Sequence, residues 1–243
     1  MTYLSVIIPA HNEEARILAS LEKISGYLHW RATQSNIKMG GAEIIVVENG
    51  STDNTADLVR EFQAQHIWPQ IKLIRQSMGD KGRAVKAGML AAEGEYRYMA
   101  DADLSTPIDQ LSKFIRYAGD LQADIVIGNR AQIENQTLAR SIMSLGFKAA
   151  ANLTLGFPTY SDTQAGFKLF TAEAAEQLFS RLRVFGWAFD VEILLLAQRL
   201  RYRVVELPIP WRREAGSQVS AAVPFRMLLD LARIKRAHNE IPL

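Results

Sequence analysis

Leu4-Ser5-Val6-Ile7-Ile8-Pro9-Ala10-His11-Asn12-Glu13 opens as an apolar, β-branched run and turns polar within one step. The run reads as a strand ending at residue 10, and the residues after it, from about 13 to 28, read as a helix. The alternation repeats downstream. Residues 44–47 form a second β-branched run that ends in Glu48-Asn49-Gly50. Residues 55–65 have helical spacing, with Leu58, Val59 and Phe62 on one face. Strands are expected at 71–74, 96–100 and 124–127, and helices at 83–92 and 109–117. Strands alternating with helices at these intervals are βαβ units, so the fold class is α/β: a mainly parallel sheet with helices on both faces.

The second half is less regular. Residues 138–155 read as an amphipathic helix, 166–170 as a strand, 191–200 as a helix and 224–236 as a last helix. Residues 204–209 are extended and contain Pro208, which favours an edge or terminal strand position.

In an open parallel sheet, ligands bind beyond the carboxyl ends of the strands. The unusual residues of this chain collect there. The first strand ends in Pro9-Ala10-His11-Asn12-Glu13, the second in Glu48-Asn49-Gly50-Ser51-Thr52-Asp53, the fourth in Asp101-Ala102-Asp103. Asp101 and Asp103, one residue apart past a strand end, can jointly face Mg²⁺ or Mn²⁺, which share carboxylates with substrate phosphates. The alternative is a turn in which Asp103 caps a helix. Glu48 can accept hydrogen bonds from a base or ribose, whereas Asp53 or Thr55 can simply cap the next helix. Met78-Gly79-Asp80-Lys81-Gly82-Arg83 opens a helix with two cations beside its N-terminus, which suits a diphosphate. It lacks the Gly-Lys-Ser/Thr of a P-loop.

Composition narrows the classes. The chain has 243 residues, 48% hydrophobic, and a net charge of +2. That balance gives no argument for a nucleic-acid partner. The absence of cysteine excludes disulfides, thiolate zinc sites and a cysteine nucleophile. Met1-Thr2-Tyr3-Leu4-Ser5 shows no leader pattern, and no stretch reaches the ~18 uninterrupted apolar residues of a membrane span. The expectation is a cytoplasmic protein, soluble or peripheral at the cytoplasmic face of a membrane.

These clusters, in this order, resemble the inverting family 2 glycosyltransferases of GT-A fold. Within them the chain is most similar to the dolichyl- or polyprenyl-phosphate enzymes, glucosyl and, more distantly, mannosyl. The residues carrying the resemblance are 5–13, Gly50-Ser51-Thr52-Asp53, Lys81-Gly82, Asp101-Ala102-Asp103-Leu104-Ser105, Gly128-Asn129-Arg130, 162–170 and Phe189-Asp190-Val191-Glu192. The segment Asp162-Thr163-Gln164-Ala165-Gly166-Phe167-Lys168-Leu169-Phe170 points to the lipid-phosphate branch. The resemblance implies a nucleoside diphosphate sugar donor, UDP-glucose first and GDP-mannose second. It implies that Pro9, Ala10, Glu13, Glu48 and Asp53 line the nucleotide pocket, with Lys81 at the diphosphate. Asp101 and Asp103 would hold the metal and diphosphate. Arg130, Gln164, Asp190, Arg212 and Arg213 would surround the transferred sugar and a lipid phosphate acceptor. It also implies one GT-A domain over 1–243, with a nucleotide half to about residue 130 and an acceptor half after it. Three features differ from common patterns: Glu48-Asn49 in place of two aspartates, Gly216-Ser217-Gln218 in place of Gly-Ser-Lys, and no membrane helix.

The acceptor's chemistry sets what the site must contain. A sugar hydroxyl needs a positioned general base. A phosphate monoester, with a second pKa near ~6, is mostly dianionic at neutral pH and needs positive charge more than a base. Arg130, Arg212 and Arg213 are candidate phosphate clamps. Asp190 is the candidate acceptor-side carboxylate, and it can equally cap the helix that follows. Asp190 and Glu192, two apart, should face different ways on a helix. Phe225, Leu228, Leu229 and Ala232 fall at helical spacing among Arg226, Arg233, Lys235 and Arg236. Such a basic amphipathic helix can lie on anionic lipid or pack on the core. The four histidines are scattered and carry no assigned chemistry. Trp30, Trp68 and Trp187 are expected to be packing residues. Trp211, beside the arginines, is the one placed to stack on a sugar or acceptor.

Overall fold

Seven strands form one sheet: β1 (Leu4–Ala10), β2 (Ala42–Asn49), β3 (Gln70–Gln76), β4 (Tyr96–Met99), β5 (Ile125–Asn129), β6 (Lys168–Thr171) and β7 (Val204–Pro208). Their order is β3-β2-β1-β4-β6-β5-β7. All neighbours are parallel except β6, which runs antiparallel to both β4 and β5. This computed structural model describes residues 2–34, 41–77, 79–130, 138–156, 160–212 and 223–239. Pro208 ends β7 on the sheet edge, where a missing N–H costs no ladder bond.

The β-branched runs are buried on both faces. Val6, Ile8, Ile44 and Val46 point into one layer, and Ile7, Ile45 and Val47 into the other. Helices α1 (Ile17–Thr33), α2 (Thr55–Gln65) and α4 (Leu111–Asp120) cover the first face; a 3₁₀ turn, Ile108–Gln110, leads into α4. Helices α3 (Lys81–Ala91), α6 (Ala172–Arg181) and α7 (Phe189–Arg199) cover the second. Helices α5 (Leu138–Leu155) and α8 (Val223–Ala237) pack on each other beside that second layer.

Three elements differ from the sequence reading. Helix α1 begins at Ile17 rather than near 13, because residues 13–16 form a turn held by the loop after β2. Helix α6 is additional to the elements expected from the sequence: Ala172-Glu173-Ala174-Ala175-Glu176-Gln177-Leu178 is rich in strong helix formers, and Thr171 caps it by accepting Ala174 N–H at 3.3 Å. Helix α8 buries Met227, Leu231, Ile234 and, at its end, His238. Leu228 and Leu229 are 44% and 52% exposed. The leucines of the expected stripe therefore lie on the outer face, and a neighbouring face packs on the core.

Candidate active site

The topology brings six chain segments that bear on the site to one edge of the sheet. β1, β2, β4 and β5 end there. Because β6 is antiparallel, its beginning lies there too, with Met99 of β4 paired to Lys168. β7, parallel to β5, runs out through Trp211 to the same edge, and the Arg212 N–H donates to Ser105 O at 2.9 Å.

The loops after β1 and β2 are bound into one wall. Asn12 N–H donates to Ser51 Oγ at 3.1 Å, and its side-chain oxygen accepts Thr52 N–H at 2.9 Å. Glu13 N–H donates to Thr55 Oγ1 at 2.8 Å, and Glu14 N–H to Asp53 Oδ2 at 3.1 Å. Asp53 also accepts Thr55 N–H at 3.0 Å through its other oxygen. It thus joins the two loops just before α2, whose N-cap is Asn54 without a side-chain cap, so neither Asp53 nor Thr55 is the capping residue. Gly50 turns the chain at φ 71°, a conformation that favours glycine. Ala10 is buried and Pro9 half-buried below this wall. Glu13 pairs with Arg16 at 2.8 Å. Glu48 is 1% exposed, and its oxygens accept Ser51 N–H and Arg75, the latter at 3.1 Å. It fixes the loop rather than presenting an open carboxylate, and the half-exposed Arg75 is what it offers outward.

Asp101 and Asp103 sit on a tight turn. Leu104 N–H closes it onto Asp101 O at 3.1 Å, and Ser105 N–H donates to Asp103 Oδ1 at 2.9 Å. Leu104 has φ 48°, a left-handed conformation that costs energy for a branched residue; Asn12, at φ 55°, is of a type that adopts it more readily. Strain of this kind collects where a loop must be held in one shape. Lys81, the first residue of α3, reaches Asp101 Oδ1 at 2.6 Å. Burial pushes the Asp101 carboxyl up, but Lys81 outweighs it and holds the group below the usual carboxylate range.

Two further groups, to which the sequence alone assigns no role, complete the arrangement. Lys168, 1% exposed, donates to Asp190 Oδ1 at 2.7 Å and to Ala165 O at 2.5 Å. Burial raises the Asp190 carboxyl, against the opposing pull of Lys168 and Lys81. Asp162 receives Arg130 through two guanidinium nitrogens, at 2.6 and 3.0 Å. Both lie inside the motif that carries the family resemblance, but neither spacing nor periodicity marks them. Glu192 faces away from Asp190, as expected: it accepts the N–H groups of Arg183 and Val184 and bonds His238 at 2.6 Å.

Beside Asp162, the Arg130 guanidinium lies 5.6 Å from the Trp211 ring centroid. Arg212 is exposed. Arg213 and residues 216–218 fall outside the described residues, as do Met78 and positions 157–159 of the loop preceding Asp162. Gln164 Nε2 donates to Trp187 O at 3.4 Å. Trp187 corrects an expectation: it is 40% exposed and its ring centroid is 5.7 Å from Lys81 Nζ, so it lines the site mouth instead of packing. Trp30, 54% exposed, is not a core residue either. Beyond Trp187 a groove of about 620 Å³ opens between residues 183–187 and α8, walled by Phe185, Met227 and Leu229 and rimmed by Arg183 and Arg226.

The Arg130–Asp162 pair gives a pH prediction. Burial raises Asp162, but Arg130 outweighs it and the folded pKa is depressed. Its stabilisation is therefore fully present above the unfolded carboxylate value, ~3.9, and is lost as pH falls through the folded value. Asp162→Asn is expected to cost about 1.5–3 kcal/mol at neutral pH, the scale of hydrogen bonds to charged groups. Its melting temperature should fall less steeply than wild type below about pH 4. Parallel melting curves across that range would show that the pair contributes nothing.

The residues fit a divalent cation. Mg²⁺ and Mn²⁺ are commonly held by one or two carboxylates with substrate phosphates and water completing the shell. Asp101 and Asp103 supply two such carboxylates, and no cluster of three or more His, Cys, Asp or Glu side chains among the described residues could cage an ion alone. The donor set suits a metal shared with a phosphorylated ligand.

Comparison with known proteins agrees with this geometry. The family described as "Glycosyl transferase family 2" matches residues 5–179. A dolichyl-phosphate beta-glucosyltransferase of Trichomonas vaginalis is 39% identical, over 96% of this chain and 70% of its own. The proteins of the same name from Saccharomyces cerevisiae and Homo sapiens are each 34% identical, over 97% and 95% of this chain and 75% and 72% of theirs. Among solved structures, glucosyl-3-phosphoglycerate synthase from Mycobacterium tuberculosis, in complex with Mn²⁺, uridine diphosphate and glucosyl-3-phosphoglycerate, superposes with a TM-score of 0.66. It is 16% identical and covers 100% of this chain and 81% of its own. Mannosyl-3-phosphoglycerate synthase from Rubrobacter xylanophilus gives 0.68 at 16% identity, over 98% and 74%. At such identities the structures speak for the GT-A fold, while the curated relatives and the matched family model speak for descent: the chain belongs to glycosyl transferase family 2 and is a glycosyltransferase of GT-A fold.

Proposed function

We propose that the protein transfers glucose from UDP-glucose to a polyprenyl or dolichyl phosphate, with inversion at the anomeric carbon. An acceptor phosphate oxygen forms the new bond to C1 as the bond from C1 to the donor diphosphate breaks. The diphosphate leaves with the electron pair. Asp101 and Asp103 would hold a Mg²⁺ or Mn²⁺ that stabilises that developing charge, and would orient the diphosphate. The wall made by residues 9–14 and 48–55 holds the nucleoside, with Arg75 at its rim.

The observation that carries the phosphate acceptor is the state of Asp190. It is the carboxylate we read on the acceptor side, and buried Lys168 holds it at 2.7 Å. A carboxylate committed to an ammonium is badly placed to take a hydroxyl proton. A phosphate dianion asks for no such base. Arg130, Arg212 and Arg213 then supply its counter-charge, and Gln164 its orientation. The names of the curated relatives support the same substrate class. We place the phosphate-proximal part of the lipid in the groove beside Trp187. The exposed Leu228 and Leu229 on basic α8 are proposed to rest on the cytoplasmic face of the membrane. Among the described residues no helix is long and apolar enough to cross one.

The test offers the purified protein UDP-glucose or GDP-mannose with Mn²⁺, and dolichyl phosphate, dolichol or a soluble glycan as acceptor. Glucose should appear on dolichyl phosphate alone, with release of UDP. Transfer to dolichol or the glycan would overturn the acceptor, transfer from GDP-mannose alone would overturn the donor, and no transfer to any of them would leave a nucleotide-sugar-binding protein.

A further inference from the structure

Asp101 already holds a cation in the structure, the Lys81 ammonium at 2.6 Å. Neither partner can retreat as a whole. Gly166 packs against the Asp101 carboxylate so closely that a Cβ there would overlap it. Lys81 starts α3, whose next residue is wedged in place: Gly82 N–H donates to Phe185 O at 2.9 Å, and a Cβ on Gly82 would lie 2.7 Å from Phe189 Cβ. With the Asp101 carboxylate in place against Gly166, the part that turns most freely is the four-carbon stem of Lys81. Its other supports are close: Asp190 and Asp103 act on it electrostatically, and the Trp187 ring centroid is 5.7 Å away.

A divalent cation on Asp101 and an ammonium hydrogen-bonded to the same carboxylate repel strongly at contact distance. Both cannot keep their places. We propose that Lys81 is the resident counter-ion of Asp101, that a divalent cation must displace it, and that the displaced ammonium turns to the donor diphosphate. Metal and nucleotide then bind with mutual dependence. Metal without nucleotide evicts an ammonium that has no phosphate to receive it. Nucleotide without metal finds that ammonium engaged elsewhere. Each ligand lowers the cost of the other, and the coupling is reciprocal. This rests on the reading of Asp101 and Asp103 as the metal's carboxylates.

The experiment titrates Mn²⁺ into the full chain, with and without UDP, and reads free Mn²⁺ by electron paramagnetic resonance. Wild type, Lys81→Met and Lys81→Arg are compared. Lys81→Met should bind Mn²⁺ without nucleotide about tenfold more tightly than wild type, a size ordinary for site coupling. The factor by which UDP tightens Mn²⁺ binding should shrink correspondingly. Lys81→Arg, which keeps the charge, should stay near wild type in nucleotide-free Mn²⁺ affinity. Lys81→Gln gives the same readout should the methionine variant not fold. Equal or weaker nucleotide-free Mn²⁺ binding in the uncharged variants, with wild type binding both ligands, overturns the displacement. Failure of wild type to bind Mn²⁺ even with UDP overturns the metal reading itself, and the displacement with it.

Discussion

Asp101→Ala is expected to lower kcat/KM for glucosyl transfer by about 10³-fold or more, and Asp190→Asn by less than about 10²-fold. The first figure is the upper end of what one preorganised electrostatic group supplies to a transition state. Asp101 should reach it if, as proposed, it serves a metal as well as Lys81. Its removal leaves the ammonium at 2.6 Å without its partner and the developing diphosphate charge without a fixed cation. The second figure lies below the ~10²–10⁴ that a general base contributes. Asp190 is not asked to move a proton if the acceptor is a phosphate.

The comparison must be made per folded molecule. Lys168 and Asp190 are 1% and 8% exposed at the side chain, and removing one charge of a buried pair typically costs ~3–5 kcal/mol. Asparagine keeps an oxygen for Lys168 to donate to, and Ala165 O remains, so the cost should fall at the lower end of that range. Melting curves and the assay on the same preparation separate the two effects. Equal, near-total losses of turnover in the two variants would sink the phosphate acceptor and make Asp190 a base for a hydroxyl.

The parts of this site legible in the sequence are those made by strand ends. Pro9, Ala10, Glu48 and Asp101 follow apolar runs whose period and length define strands, and parallel topology then places their ends together. The mainly parallel α/β class and the edge position of Pro208 follow from the same reasoning. Lys168 was not legible in that way. It sits in an apolar run, Phe167-Lys168-Leu169-Phe170, and only the reversed direction of β6 brings it to the site edge against Asp190. Nothing local announces an antiparallel strand between two parallel ones. Trp187 is hidden for a different reason: a tryptophan between Gly186 and Ala188 has the composition of a packed turn, and its place at the groove beside α8 has no local mark. Helix α8 itself shows the limit of periodicity. Leu228 and Leu229 satisfy a helical stripe, but Met227, Leu231 and Ile234 satisfy another, and tertiary contact with α5 selects the second.

Gly166→Ala is expected to bring activity to within about tenfold of the Asp101→Ala level while leaving a folded protein. Gly166 opens the turn into β6, and its φ is not left-handed, so the backbone itself tolerates alanine. The obstacle is space: the added methyl would occupy the position of the Asp101 carboxylate. Backbone relief is blocked on one side by Lys168 Nζ on Ala165 O and on the other by Gly128 N–H, which donates to Phe167 O at 2.9 Å. The Asp101 side chain, 33% exposed, is the part with room to yield. Turning it away breaks the Lys81 pair and takes one carboxylate out of line with Asp103. Overpacking of this size typically costs ~1–3 kcal/mol, which a domain of this length can carry. Displacing a carboxylate proposed to hold the metal by even an ångström should cost far more in rate, since the transition state demands it in one place. Mn²⁺ titration with UDP and a melting curve on Gly166→Ala decide the matter. A folded variant with weakened Mn²⁺ binding is the expected result. Unchanged Mn²⁺ binding with unchanged turnover would show that the loop gives way instead, and that the contact between Gly166 and Asp101 does not set the carboxylate's position.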